Sequence, residues 1–183
     1  SDLVERAKEF AKGGDLYALY LMTMNSYRED YVLECVRAVR AALPATTKLI
    51  GNFGDADKPF FERLKEAGLD GIYHVKRLGE GTLTKIPPER REATIRAAWE
   101  SGLSVQDCCE PIGAETTADE IATRLFEIQA RGREMGLHDC AGVMKRNGVP
   151  GTRYEGMQTE ITNMRLGLIG AIECFVMVDQ DDF

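Results

Sequence analysis

The sequence predicts an α/β fold of parallel strands joined by crossover helices, and two observations carry that reading. Amphipathic stretches of helical period alternate regularly with short apolar runs, and a helix end, a Gly-Leu pair and a strand recur together as EAGLDGIYHV, ESGLSVQDCC and EMGLHDCAGV. Strands and helices alternating at this spacing pair in parallel through right-handed crossovers. Within that class a barrel is favoured over an open doubly wound sheet. No GxGxxG follows the first strand, the units succeed one another without a long break, and polar residues recur near the C-terminal ends of strands: Asn52, His74, Lys76, Asp107, Glu110, Lys145 and Arg146. A complete eight-stranded barrel usually takes about 250 residues, so the expected architecture is a partial or fragmentary TIM-type (β/α) barrel of about six parallel strands with outer helices. It is expected to form one domain over residues 1–183.

The elements follow in order. Residues 2–12 are amphipathic and stop at Gly13-Gly14, as a helix C-terminus does, and LYALYLMT (16–23) is a buried strand. Tyr27 to Leu43 sets Tyr31, Val32, Cys35, Val36 and Val39 on one helical face, Pro44 follows, and TKLIGNF (47–53) is the next strand. Asp57 caps a helix through FFERLKEAG, and GLDGIYHV is the third strand. Pro87 and Pro88 open a helix that runs to Ser101-Gly102, and a strand begins at Leu103. A helix from Thr117 to near Gly136 leads to the strand GLHDCAGVMK (136–145), and a last helix, Tyr154 to Ile172, leads to CFVMV and the acidic end DQDDF.

Composition narrows the function classes. With 44% apolar and 29% charged residues the chain is an ordinary globular sequence. Its formal charge of −7 is spread without a long basic block, which gives neither nucleic acid nor a membrane surface a purchase. No apolar run reaches the roughly 18 residues of a membrane span, and SDLVERAKEF lacks the regions of a signal peptide, so a cytoplasmic protein is expected. The five cysteines, Cys35, Cys108, Cys109, Cys140 and Cys174, are odd in number and show no CxxC spacing, so reduced thiols are expected and no metal site is read from them.

The stretch LSVQDCCEPIGAE (103–115) draws most attention, because a buried strand ending in a glycine loop with an acid is where an α/β protein meets its ligand. Cys108 and Cys109 are adjacent and point to opposite faces of a regular strand, so they do not chelate one metal together; they read as small buried hydrophobes, one of them facing a barrel interior. Lys145 and Arg146 suit a substrate carboxylate or phosphate, or solvated charge.

Four segments together give the chain a family resemblance. AGLDGIYHVKR (67–77), PPERREATIRAAWESGLSV (87–105), CCEPIGAETTADEI (108–121) and VMKRNGVPGT (143–152) occur in the order and spacing of the radical S-adenosylmethionine superfamily. The chain resembles the branch of biotin synthase, the FeFe-hydrogenase maturase, methylornithine synthase and the iron-guanylylpyridinol cofactor maturase. The segments are similar, in turn, to that family's fourth strand, the helix after it, its GxIxGxGE loop and its sixth strand. The similarity runs from about residue 1 to 172. The family's CxxxCxxC loop, which holds a 4Fe-4S cluster, has no counterpart among these cysteines. The resemblance therefore places that loop, with the family's first strand, upstream of Ser1.

The resemblance implies an enzyme that uses S-adenosylmethionine and a 4Fe-4S cluster, with cluster ligands outside this sequence, to abstract hydrogen from a small substrate in cofactor or amino-acid biosynthesis. An electron donor such as flavodoxin or ferredoxin is the implied partner, and the isolated fragment is expected to be inactive. Arg91 would approach the carboxylate of S-adenosylmethionine, with Arg90 competing for the role and a surface arginine as the alternative. Asn52 would meet the methionyl end or merely make a turn. His74 would lie near the nucleoside or be a satisfied core histidine. Where the family has a ribose-binding acid this chain has Arg77, with Glu80 as substitute. Glu110, Pro111, Ile112, Gly113, Ala114 and Glu115 would form the adenine-side loop or a plain strand-to-helix turn, and Lys145, Arg146 and Cys108 would meet the substrate. Two further readings stay open: a cluster-free barrel lyase or aldolase with a Schiff-base amine at Lys48, Lys76 or Lys145, and a noncatalytic α/β domain binding a small anion.

Overall fold

The computed structural model describes residues 2–24, 26–135, 141–157, 159–162, 165 and 168. Its elements alternate as expected: α1 (Asp2–Ala11), β1 (Ala18–Met22), α2 (Glu29–Ala42), β2 (Lys48–Asn52), α3 (Lys58–Glu66), β3 (Gly71–Tyr73), α4 (Pro88–Glu100), β4 (Ser104–Ile112), α5 (Ala118–Met135) and β5 (Ala141–Lys145). The five strands form one sheet in the order β1-β2-β3-β4-β5. The register is parallel from β1 to β2, from β2 to β3 and from β4 to β5. A strictly sequential order has no topological switch point, which a doubly wound sheet requires, so the fold is a partial TIM-type barrel with alternating helices. The sixth expected strand, CFVMV, lies outside the described residues, as do 136–140 and Cys174.

The chain divides into two compact units, Ser1–His74 with Arg90–Val105, and Val75–Glu89 with Gln106–Phe183. In the first unit the buried stripe of α2 is Val32, Leu33, Val36 and Val39. Tyr31, expected on that face, is 61% exposed, because the stripe turns toward Leu33 and away from 31 and 35. Helix α3 begins as its sequence dictates: the Asp57 side chain accepts from the Phe60 amide at 3.1 Å, a proline sits in the first turn, and Phe60, Phe61 and Leu64 are buried. Asp70 stitches the start of β2, accepting from the Leu49 amide at 2.8 Å and from Arg40 Nη1 at 3.3 Å. Strand β3 is shorter than GLDGIYHV, so His74 lies just past its end. Ser104 donates its amide to the Asp70 carbonyl at 3.1 Å, at the start of β4.

In the second unit Cys109, Ile112, Leu125, Ile128 and Val143 form a buried cluster. Asp107 and Cys109 share the face of β4 that meets α5. Alternation would put residue 111 there next, but the register with β5 shifts between Cys109 and Ile112, and Ile112 takes the place. Asp107, expected near a strand end, is mid-strand and buried. Arg124 Nη2 donates to its Oδ1 at 2.5 Å and Arg131 donates to Oδ2, so it is an anchor for α5. The helix expected from Tyr154 opens instead as turns and bends over 150–156, where Gly151 and Gly156 both take φ of +78° and interrupt helical geometry.

Candidate functional site

In the first unit the strand-to-helix loop after β2 delivers a carboxylate into the interior. Gly51 lets the Phe53 ring fold back over β2, since a Cβ there would overlap the ring. Two residues further on, Asp55 has a side chain only 10% exposed. Its Oδ1 lies 3.1 Å from His74 Nε2 and accepts from Arg91 Nη1 at 3.0 Å. Thr94 Oγ1 is 3.2 Å from the same oxygen and 3.0 Å from the Arg90 carbonyl, so its single proton serves one of them at a time. Asp55 Oδ2 forms an ion pair with Arg90, whose Nε is 3.3 Å away. Burial alone would push the Asp55 carboxyl up. The His74 hydrogen bond and the charge of Arg91 outweigh it and hold the group at about 2, against an ordinary 3.8. Nearby, burial and the charges of Glu29, Asp55 and Asp57 push the Tyr27 phenol up to about 12.

The spacing explains how α4 contributes. Arg91, Thr94, Ile95 and Ala98 are its buried residues, one face of a helix, and Arg90 falls outside that stripe. A charged residue on a buried helical face signals an interior counter-charge. That signal points to Asp55, which sequence reasoning passed over because it stands 36 residues from Arg91 in an NFGD loop. Asn52 ends β2, half-buried, and its carbonyl accepts from the Thr23 amide at 3.0 Å.

In the second unit three residues singled out for the nucleoside side are brought together. Glu110, buried, accepts from Arg77 Nε at 3.2 Å. Glu80 Oε2 accepts from the Arg77 amide at 2.9 Å, and the Glu110 carbonyl accepts from the Leu78 amide at 2.7 Å. An open cavity of about 350 Å³ beside them is lined by Lys76, Arg77, Glu80, Arg124 and Glu127 among others. Gly113 is crowded by the Glu115–Arg146 ion pair, whose atoms occupy the space a Cβ would need. Arg146 also lies over the Tyr154 ring, 3.9 Å from its centroid. Burial pushes the Glu115 carboxyl up, but its own backbone amide and Arg146 pull it below the usual carboxylate range. Ile112 is 1% exposed in the core cluster, and Cys108 is buried in register with Gly142.

The lysines differ in place. Lys48 is the first residue of β2, at the end of the strand opposite to where a barrel carries chemistry, and lies 3.8 Å from Asp70. Lys76 pairs with Glu127 at 2.6 Å, and Lys145 ends β5. Among the described residues no three His, Cys, Asp or Glu side chains are grouped to hold a metal ion, and no helix is long and apolar enough to cross a membrane. The described cysteines, Cys35 on α2 and Cys108 and Cys109 on opposite faces of β4, do not fit a 4Fe-4S cluster.

No family model matches the sequence, and no curated protein matches it. Solved structures do resemble its fold. Methylornithine synthase superposes with a TM-score of 0.74 at 18% identity, over 93% of this chain and 51% of that one. The FeFe-hydrogenase maturase from Carboxydothermus hydrogenoformans gives 0.73 at 14% identity, over 93% and 42%. Another structure of an FeFe-hydrogenase maturase gives 0.69 at 10% identity, over 94% and 42%. The chain thus spans about half the length of the structures it matches, and what is shared at these identities is the fold.

Proposed function

We propose that this chain is the S-adenosylmethionine-binding core of a radical enzyme of the biotin synthase-like branch, acting on a small substrate in cofactor or amino-acid biosynthesis. The observation that carries the reading is the pair of adjacent guanidiniums, Arg90 and Arg91, gathered with His74 around Asp55 past the C-terminal ends of β2 and β3. That is the side on which a barrel binds ligand, in a fold shared with methylornithine synthase. Guanidiniums suit the carboxylate of the methionyl end; Asn52 is proposed for the methionyl end and His74 for the nucleoside side.

The described residues offer no ligand set for a cluster. The protein's own part in this reading is to bind and orient S-adenosylmethionine and to exclude water. Glu110, Ile112 and Gly113 are proposed for the adenine side, the last two through backbone groups, since the Ile112 side chain is buried and Gly113 has none. Lys145, Arg146 and Cys108 are proposed for the substrate, which Arg146 could meet only by releasing Glu115. The reading brings with it an electron donor such as a flavodoxin or ferredoxin.

Anaerobic calorimetric titration of the full chain tests it, with adenosine and methionine titrated separately. One saturable site for S-adenosylmethionine, with weaker binding of either half, is expected. Absence of saturation at millimolar concentrations would overturn the proposal.

A further inference from the structure

The open cavity of the second unit holds a guanidinium that the surrounding carboxylates leave half engaged. The cavity lies between the loop after β3 and the first turns of α5, both within that unit. Arg124 lines it, with a side chain only 3% exposed. Its Nη2 donates to Asp107 Oδ1 at 2.5 Å, whereas Nε and Nη1 are buried and make no hydrogen bond among the described residues. Buried guanidinium donors without an acceptor are rare in a folded chain, and an acceptor entering the cavity would relieve their cost. Glu127 Oε2 faces Nη1 at 3.5 Å, as an ion pair only, and meets Lys76 Nζ at 2.6 Å. One carboxylate thus stands before two cations and satisfies the lysine better than the arginine. It is also the movable partner: the Glu127 side chain is 40% exposed, against 16% for Lys76, so it can turn to water while the cations keep their places. The other acids of the lining are turned elsewhere. Glu80 accepts from the Arg77 amide at 2.9 Å and from Thr84 Oγ1 at 3.3 Å, and Glu120 accepts from the Thr117 amide and hydroxyl, each at 2.8 Å.

We infer that this cavity is a binding site for a small molecule with one anionic end, a carboxylate or a phosphate, that Lys76 and Arg124 receive that end, and that Glu127 occupies its place until the ligand displaces it. An oxyanion seated between the two cations would offer acceptors to Lys76 Nζ and to the unpaired donors of Arg124 together. A cavity of about 350 Å³ is larger than an oxyanion alone, so the ligand carries an organic body, for which Leu78 and Pro88 supply apolar wall. The exposed acids Asp119 and Glu120 on the same lining oppose a second negative group, which favours a single anionic end over several. The site is independent of the proposed binding of S-adenosylmethionine, for which neither Lys76, Arg124 nor Glu127 is used.

The test titrates acetate and inorganic phosphate separately into the isotope-labelled full chain, at constant ionic strength balanced with chloride, and follows the backbone amides of residues 76–79 and 123–127 by heteronuclear NMR. Saturable shifts at millimolar probe are expected, as befits ligands of so few atoms. Glu127→Gln keeps the size of the side chain and removes the competing charge, so it should tighten binding by about tenfold. A purely structural ion pair would give no such gain. Lys76→Met should weaken binding by about tenfold, and where that variant does not fold, Glu127→Gln still decides, because it alters a half-exposed carboxylate. Saturation by acetate alone assigns a carboxylate end and saturation by phosphate alone a phosphate end; either supports the site. Affinity that is unchanged or lowered in folded Glu127→Gln overturns the inference, as does affinity unchanged in folded Lys76→Met, or shifts that fail to saturate with both probes in both the unaltered chain and Glu127→Gln.

Discussion

Asp55 carries the largest consequences of any single residue. Its carboxyl is held at about 2 instead of 3.8, so its stabilisation, about 2 kcal/mol, is complete above roughly pH 5 and is lost as pH falls toward 2. Acid unfolding followed by circular dichroism should therefore show a stability limb in that window, and Asp55→Asn should flatten it; an unchanged limb would mean that other carboxylates govern it. Asp55→Ala leaves Arg91 buried without this partner and should cost about 3–5 kcal/mol in urea unfolding. None of this was legible in the sequence. Asp55 is one acid among many in a turn-like NFGD, and its partners stand 19, 36 and 39 residues away. Arg91 was a candidate through the family resemblance of PPERREATIRAAWESGLSV, but neither resemblance nor periodicity shows what waits on the other side of the helix face it takes.

At the scale of elements, the helices were the most readable part. Asp57 before a proline and an apolar pair announced α3, and Asp57→Ala should cost about 1 kcal/mol of thermal or urea stability by freeing the Phe60 amide. Strand ends were less readable, because their limits depend on pairing. β3 closes at Tyr73 although the apolar run continues to Val75, and the shift that brings Ile112 beside Cys109 depends on the partner strand β5. Gly71 illustrates the same dependence: a Cβ there would overlap Ser104 Oγ and meet the Ser104 carbonyl at 2.9 Å. Gly71→Ala should thus destabilise by about 1–3 kcal/mol, because a backbone atom cannot move aside cheaply. Gly113→Ala meets only the flexible ends of Glu115 and Arg146, and should be tolerated within about 1 kcal/mol while parting that pair; a loss as large as that of Gly71→Ala would contradict this distinction.

For the whole molecule, the alternation of helix and strand was enough to reach a partial barrel, because sequential strand order is the simplest product of repeated right-handed crossovers. Function is less direct, since one fold carries many chemistries and the decisive side chains are few. The most direct measurement of the central claim is the binding isotherm of S-adenosylmethionine on the full chain under anaerobic conditions. One saturable site per chain, weakened about tenfold when the ligand's carboxylate is removed, is the result the account requires. A chain that stays folded and shows no saturable binding would contradict it, and a fold shared with methylornithine synthase would then carry a different ligand.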